Sequence, residues 1–290
     1  MAFVCAKAVL LSAAVLASTA QLCMGGRRRM ELYRPDPVDM LSYHNGAVLH
    51  GDIAVSVLWY GDFKPAQKAV ILDFLLSLTA ETQAASPSVA QWWSTIDQQY
   101  LSPASAKSNG ASEKTRILLA DQLSDGECSM GKSLTLEQIT TLAATAKPKK
   151  GGVAVVFTAQ DVTVEGFGMG RCSLHGSDAS SGTTHIWVGN PETQCPGACA
   201  WPFHQPAYGP QDAPLVAPNG DVGADAMVMN LASMLAGAAT NPFGDGYYQG
   251  SSDAPLEATG ASYNCNGAHG RKYLLPALYD PSKSACGTLV

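Results

Sequence analysis

Metal or acid–base chemistry in this chain would have to draw on six histidines: His44, His50, His175, His185, His204 and His269. A zinc hydrolase sets two ligands four residues apart on a helix, so that both leave one face, and adds a glutamate beside the first to activate water. No His-Glu-x-x-His run and no His-x-His pair occurs, so no short segment encodes such a site. A serine hydrolase of the elbow type needs Gly-x-Ser-x-Gly; Gly176-Ser177-Asp178 and Gly250-Ser251-Ser252-Asp253 lack it. A glycosidase needs two carboxylates facing one bond. Between Gly151 and Gly223 the acids are Asp161, Glu165, Asp178, Glu192, Asp212 and Asp221. Glu165 follows an apolar strand and is the best placed of these as an acid, with His175 and His204 as further hydrolase candidates; a plain surface carboxylate is the competing reading of Glu165. Trp92, Trp93, Trp187, Trp201, Tyr208, Tyr247 and Tyr248 offer faces for sugar stacking, or simply core packing.

The cysteines depend on compartment. Residues 1–20, MAFVCAKAVLLSAAVLASTA, carry one lysine, an apolar run from Ala8 to Ala17 and a small-residue close at Ser18-Thr19-Ala20. This reads as a secretory signal peptide, its apolar run short of the ~20 residues that cross a bilayer. Residues 21–40, with Arg27-Arg28-Arg29, Pro35 and Pro37, read as an exposed flexible leader. Cys5 leaves with the signal and Cys23 lies close to its end. Cys128, Cys172, Cys195, Cys199, Cys265 and Cys286 remain, and in an oxidising compartment they are disulfide candidates. The alternative is zinc at Cys195-x-x-x-Cys199 with His204. An even thiol count also disfavours a cysteine nucleophile. No Asn-x-Ser/Thr sequon is present.

Composition excludes other classes. Of 290 residues 46% are hydrophobic and 14% charged, with a net charge of −6 and no basic run after Arg29. Nucleic acid, which is held by clustered Lys and Arg, is not an expected partner. No segment after residue 20 is expected to span a membrane. The first strand, DIAVSVLWYGDFKP, is followed by no glycine-rich phosphate loop, so no nucleotide and no other cofactor is expected.

The elements that would position any site alternate. Asp52–Tyr60 is rich in β-branched and aromatic residues and predicts a strand. Lys64–Leu78 and Ser88–Tyr100 have helical apolar spacing, Arg116–Ala120 predicts a short strand, and Thr135–Ala146 a third helix. Gly152–Thr158 is continuously apolar, as a central strand is, and Thr184–Val188 alternates as an edge strand does. A Gly- and Pro-rich loop, Pro191–Gly223, is expected to pack on the body, stapled by Cys195 and Cys199. The fold class is α/β (α+β), a mixed sheet packed with helices, forming a single domain over 41–290.

Several runs carry more than pattern: LSYHNGAVLHGDIAVSVLWYG, DVTVEGFGMGRCSLHGS, THIWVGNPETQCPGACAWPFHQPAYGPQ, PLVAPNGDVGADAMVMNLASMLAGAATNPFGDGYYQG and GRKYLLPALYDPSKSACGTLV. Through them, nearly everything from Leu41 to Val290 resembles the plant EXORDIUM family, also called phosphate-induced protein 1-like. The resemblance implies a secreted apoplastic or cell-wall protein linked to brassinosteroid-dependent growth and cell expansion, with no catalytic residue to carry over. One departure stands out. The family pattern has a Gly-, Tyr- and Pro-rich stretch, usually with a cysteine, between its APLEA and TGASYN motifs. Here Ala258 runs straight into Thr259, and Cys265 takes the place of a small residue, so the family's cysteine pairing does not carry over near the C-terminus.

The resemblance also frames the helix VMNLASMLAGAAT. A pattern His-Glu-x-x-Glu-Ala-x-Thr-Asp-Pro, in more distant relatives outside plants, is similar to this stretch. Laid on Ala238 to Pro242, it puts the histidine on Ser233, the glutamate on Met234 and the second acid on Gly237. That implies a zincin-like fold with a degenerate metal-site helix. The plainer alternative is that Ala232, Ala236 and Gly237 only let a buried helix approach the sheet. Three functions follow as expectations: a non-catalytic apoplastic protein with a groove for a wall glycan or peptide, a secreted hydrolase acting on such molecules, or a structural wall component.

Overall fold

The computed structural model describes residues 41–79, 85–110, 112–178, 181–209, 211–248, 262–280, 282–283 and 285–288. The expected signal peptide at 1–20, the leader at 21–40 and the junction at Ala258-Thr259 lie outside the described residues.

After a two-residue strand β1 (Ser42–Tyr43) comes β2 (Asp52–Tyr60), with the bounds its β-branched run predicts. Helix α1 (Pro65–Ser77) begins with Pro65, whose missing N–H would have had no helical partner. Helix α2 (Val89–Ile96) is capped by Ser88, which accepts from the Gln91 N–H. The predicted second helix does not run evenly to Tyr100. It widens into a π-turn at Asp97–Leu101 and resumes as α3 (Ser102–Asn109). Strand β3 (Arg116–Asp125) is longer than predicted, because its polar second half is carried by pairing to β2 and not by burial. Short β4 (Ser133–Leu134) leads to α4 (Leu136–Thr145), capped by Thr135, and then to β5 (Val153–Thr158), buried at every residue. Next come β6 (Thr163–Val164), β7 (Ser173–Asp178), β8 (Thr183–Gly189), the single turn α5 (Pro196–Cys199) and the 19-residue α6 (Val222–Thr240). The chain closes with β9 (Tyr247–Tyr248), β10 (Ser262–Asn266), β11 (Lys272–Pro276), β12 (Leu278–Asp280) and β13 (Ala285–Gly287).

The main sheet has five strands in the order β3-β2-β5-β8-β7. Four are parallel, and β7 returns antiparallel beside β8. The mixed α/β class is therefore as expected, with one correction inside it. Thr184–Val188 is not an edge: β8 lies between β5 and β7, and the edge on that side is the unpredicted β7. Its sequence, SLHGSD, has no apolar alternation to read, because its side chains are all half-covered or exposed.

The chain crosses the sheet leftward from β2 to β3 and back rightward to β5. Right-handed crossovers in opposite directions put α1 and α4 on opposite faces. Helix α6 shares the α1 face and packs on β8, β7 and β11. By length and apolarity α6 would also serve as a membrane span, contrary to the expectation that no segment past residue 20 would; in this fold most of it is buried in the core.

Candidate functional site

Helix α6 runs beside the sheet edge, so the positions singled out in its sequence can be placed. Asp221 caps it by accepting from the Ala224 N–H at 2.8 Å. At its other end Asn241 leaves helical geometry, and its side-chain carbonyl accepts the Gly246 N–H at 2.8 Å, folding NPFGDG back on itself. Ser233, Met234 and Gly237 all lie partly covered on this helix. The Ser233 hydroxyl donates to the Met229 carbonyl one turn earlier, at 3.2 Å. Met234 packs against the core. Gly237 faces β7: a Cβ placed there would stand 3.2 Å from Cε1 of His175.

His175 thus occupies the space a side chain at 237 would need. Burial, with a smaller contribution from the neighbouring His185, pushes its pKa down to about 4, so the ring is neutral. Its Nδ1 is buried without a hydrogen-bond partner. His185 lies over the bare backbone of Gly176, where a Cβ would come within 2.9 Å of its Cε1. Burial lowers the His185 pKa as well, against the opposing charge of Asp178. Sequence spacing could not pair His175 with Gly237, because the contact is between a strand edge and a helix 62 positions on.

The arrangement offers one neutral imidazole, one hydroxyl tied to its own helix, a thioether and a glycine. None of the α6 groups supplies a metal ligand or a base, and among the described residues no three His, Cys, Asp or Glu side chains gather to hold a metal.

The other predicted groups are dispersed. Glu165 is exposed, and its carboxylate accepts from the Leu136 N–H at 3.4 Å, at the start of α4, where a negative charge is favoured. His204 is exposed, its Nδ1 2.9 Å from the Gln205 carbonyl. Trp92, Trp93 and Trp187 are core residues whose indole N–H groups donate to Pro276 O, Thr115 O and Thr158 Oγ1. Trp201 and Tyr208 stay exposed on the long loop.

That loop packs on α6 through Ala200, Phe203 and Ala217, and of the two cysteines expected to staple it to the body only Cys199 does so. Cys199 is bonded to Cys172, at the start of β7, and not to Cys195. With Cys199 oxidised, the alternative zinc set of Cys195, Cys199 and His204 loses its second thiolate. Cys128, Cys195 and Cys265 are free thiols. Burial pushes Cys195 up to about 11 and Cys265 up to about 12, and it raises Cys128 too, so none is activated as a thiolate. The side chain of Cys286 lies outside the described residues.

Comparison with known proteins gives one consistent result. The family model described as the phosphate-induced protein 1 conserved region matches residues 41–261 and 257–289, in two pieces that meet where Ala258 runs into Thr259. Protein EXORDIUM of Arabidopsis thaliana is 48% identical over 297 residues, covering 91% of this chain and 93% of its own. Protein PHOSPHATE-INDUCED 1 of Nicotiana tabacum is 48% identical over 306 residues, covering 94% and 96%. Protein EXORDIUM-like 1 of Arabidopsis thaliana is 49% identical over 284 residues, covering 85% and 89%. No solved structure matches the chain.

Proposed function

Given that the chain belongs to the phosphate-induced protein 1 family, we propose that it is a secreted apoplastic or cell-wall protein. In this proposal it acts in brassinosteroid-dependent growth and cell expansion by binding a wall glycan or peptide without turning it over. Secretion rests on the signal-peptide pattern of residues 1–20. The growth role rests on the family resemblance.

The observation that carries the non-catalytic part is the state of α6. A zincin uses a helix beside an antiparallel sheet edge to present two ligands and a base toward a cleft. Here an antiparallel edge strand and a helix are in contact, and we read the framework as zincin-like with its chemistry gone. Ser233 spends its hydroxyl on Met229, Met234 has no basic group, and the His175 ring closes over Gly237. The terminal strand β7 remains as a place where an extended peptide could pair by its main chain.

The test uses secreted, disulfide-intact protein. N-terminal sequencing should find cleavage after Ala20. A panel of wall glycans and peptides should show binding without turnover. Turnover lost in Glu165→Gln would overturn the proposal in favour of a hydrolase, and stoichiometric zinc in purified protein would overturn the empty metal site.

A further inference from the structure

At the opposite end of α6 from the His175 contact, two distant segments line an open surface depression of about 510 Å³. Val222, where α6 starts, is some 22 Å along the helix axis from Gly237, at ~1.5 Å per residue, so this depression stands apart from the β7 edge. Its walls are Asn219 and Gly220, ahead of α6, and His269, Gly270, Arg271 and Lys272, in the turn between β10 and β11.

Its polar lining is dominated by donors. Asp73 of α1 anchors the site from behind: one oxygen lies 2.8 Å from His269 Nδ1, and the other accepts from Arg271 Nε. A second Arg271 nitrogen, Nη1, lies 3.4 Å from Asn219 Oδ1. The guanidinium is thereby fixed in orientation and only a quarter exposed, and its Nη2 makes no hydrogen bond among the described residues. His269 holds φ at 55°, a left-handed backbone that a β-carbon disfavours, and its Nδ1 contact with Asp73 leaves Nε2 for a ligand. Lys272 is exposed and forms no ion pair among the described residues. Asp225 sits behind Asn219 and is almost fully buried, accepting from the Asn219 N–H and amide. Gly220 and Gly270 are exposed and have nothing within 4 Å of where a Cβ would be, so neither crowds the depression. Asp73 and the buried Asp225 offset the two permanent positive charges from behind, so the positive charge that faces solvent is that of Lys272 and the outer edge of Arg271. Guanidinium, ammonium and imidazolium groups around one space recognise oxyanions.

We propose that this depression binds a small polar ligand through an oxyanion, a carboxylate or a phosphate, with Lys272 and the outer edge of Arg271 as charge partners and His269 Nε2, in the protonated ring, as the third contact. The proposal does not depend on the reading of β7 as a peptide-pairing edge.

Isothermal titration calorimetry of the full secreted protein tests it, with sodium glucuronate, inorganic phosphate and glucose as probes at constant ionic strength. Saturable binding of glucuronate, of phosphate or of both is expected, with glucose inert; whichever acid binds more tightly identifies the source of the oxyanion. Lys272→Glu should weaken that binding at least ~10-fold, as the loss of one charge contact does. Its fold should persist, because the strand pairing at 272 uses only backbone. His269→Gly, which also relieves the backbone strain, should weaken binding without lowering the melting temperature. Absence of binding by both acids, or wild-type affinity in Lys272→Glu, overturns the proposal.

Discussion

The imidazole of His175, on the edge strand, lies against the bare Cα of Gly237, on the long helix, with Cε1 3.2 Å from where a Cβ would sit. The pair fixes how closely α6 approaches the sheet edge, and it occupies the space a residue acting from position 237 would need. Gly237→Ala should be close to neutral, since ~1 kcal/mol of gained helix propensity offsets a contact a few tenths of an ångström too tight. Gly237→Leu should cost about 2–3 kcal/mol by overpacking. Combining it with His175→Ala should recover much of that loss, and a double-mutant cycle from denaturant unfolding measures the coupling.

The same histidine makes stability pH-dependent. Unfolded, its ring takes a proton near the ordinary 6.5; folded, it does so only near 4. Between those values the unfolded state binds more protons, so stability is full above about 6.5 and falls as pH drops toward 4. The loss should approach about 3 kcal/mol for this group, with His185 acting in the same direction. Unfolding curves between pH 7 and 4 should show the slope, and His175→Phe should flatten it.

Cys172 and Cys199 close a loop across a sequence separation of 27. The Cys172→Ser/Cys199→Ser double variant should lose about 3.5 kcal/mol by the chain-entropy model. Peptide mapping under non-reducing conditions should recover a Cys172–Cys199 link. Cys128 and Cys265, both buried, should resist alkylation until the protein is unfolded.

Asp97 joins the π-turn to the start of β3: its Oδ1 accepts from the Thr115 N–H at 3.2 Å and from the Ser102 hydroxyl at 3.1 Å. Only 5% of Asp97 is exposed. Asp97→Ala strands a buried backbone donor and should cost about 1–3 kcal/mol. Asp97→Asn keeps an acceptor and should cost less. Thermal unfolding of the two variants compares them directly.

Local chemistry was enough to predict much of this protein. The β-branched run of Asp52–Tyr60, the continuous apolarity of Gly152–Thr158 and the helical apolar spacing of Lys64–Leu78 each act within a few residues, and each predicts its element. Family membership was legible for a similar reason, since long unusual runs persist in the chain. Three features were decided by tertiary structure alone. Edge position belongs to β7 because it pairs on one side only, a fact about neighbours that its polar sequence does not carry. Cys199 bonds Cys172 and not nearby Cys195 because the loop returns to the start of that strand. The two histidine relationships, His175 on Gly237 and His269 beside Asp73 with Arg271, bring together residues far apart in the chain. No spacing rule spans such distances, because it is the packing of α6 and α1 on one face of the sheet that brings those residues into contact.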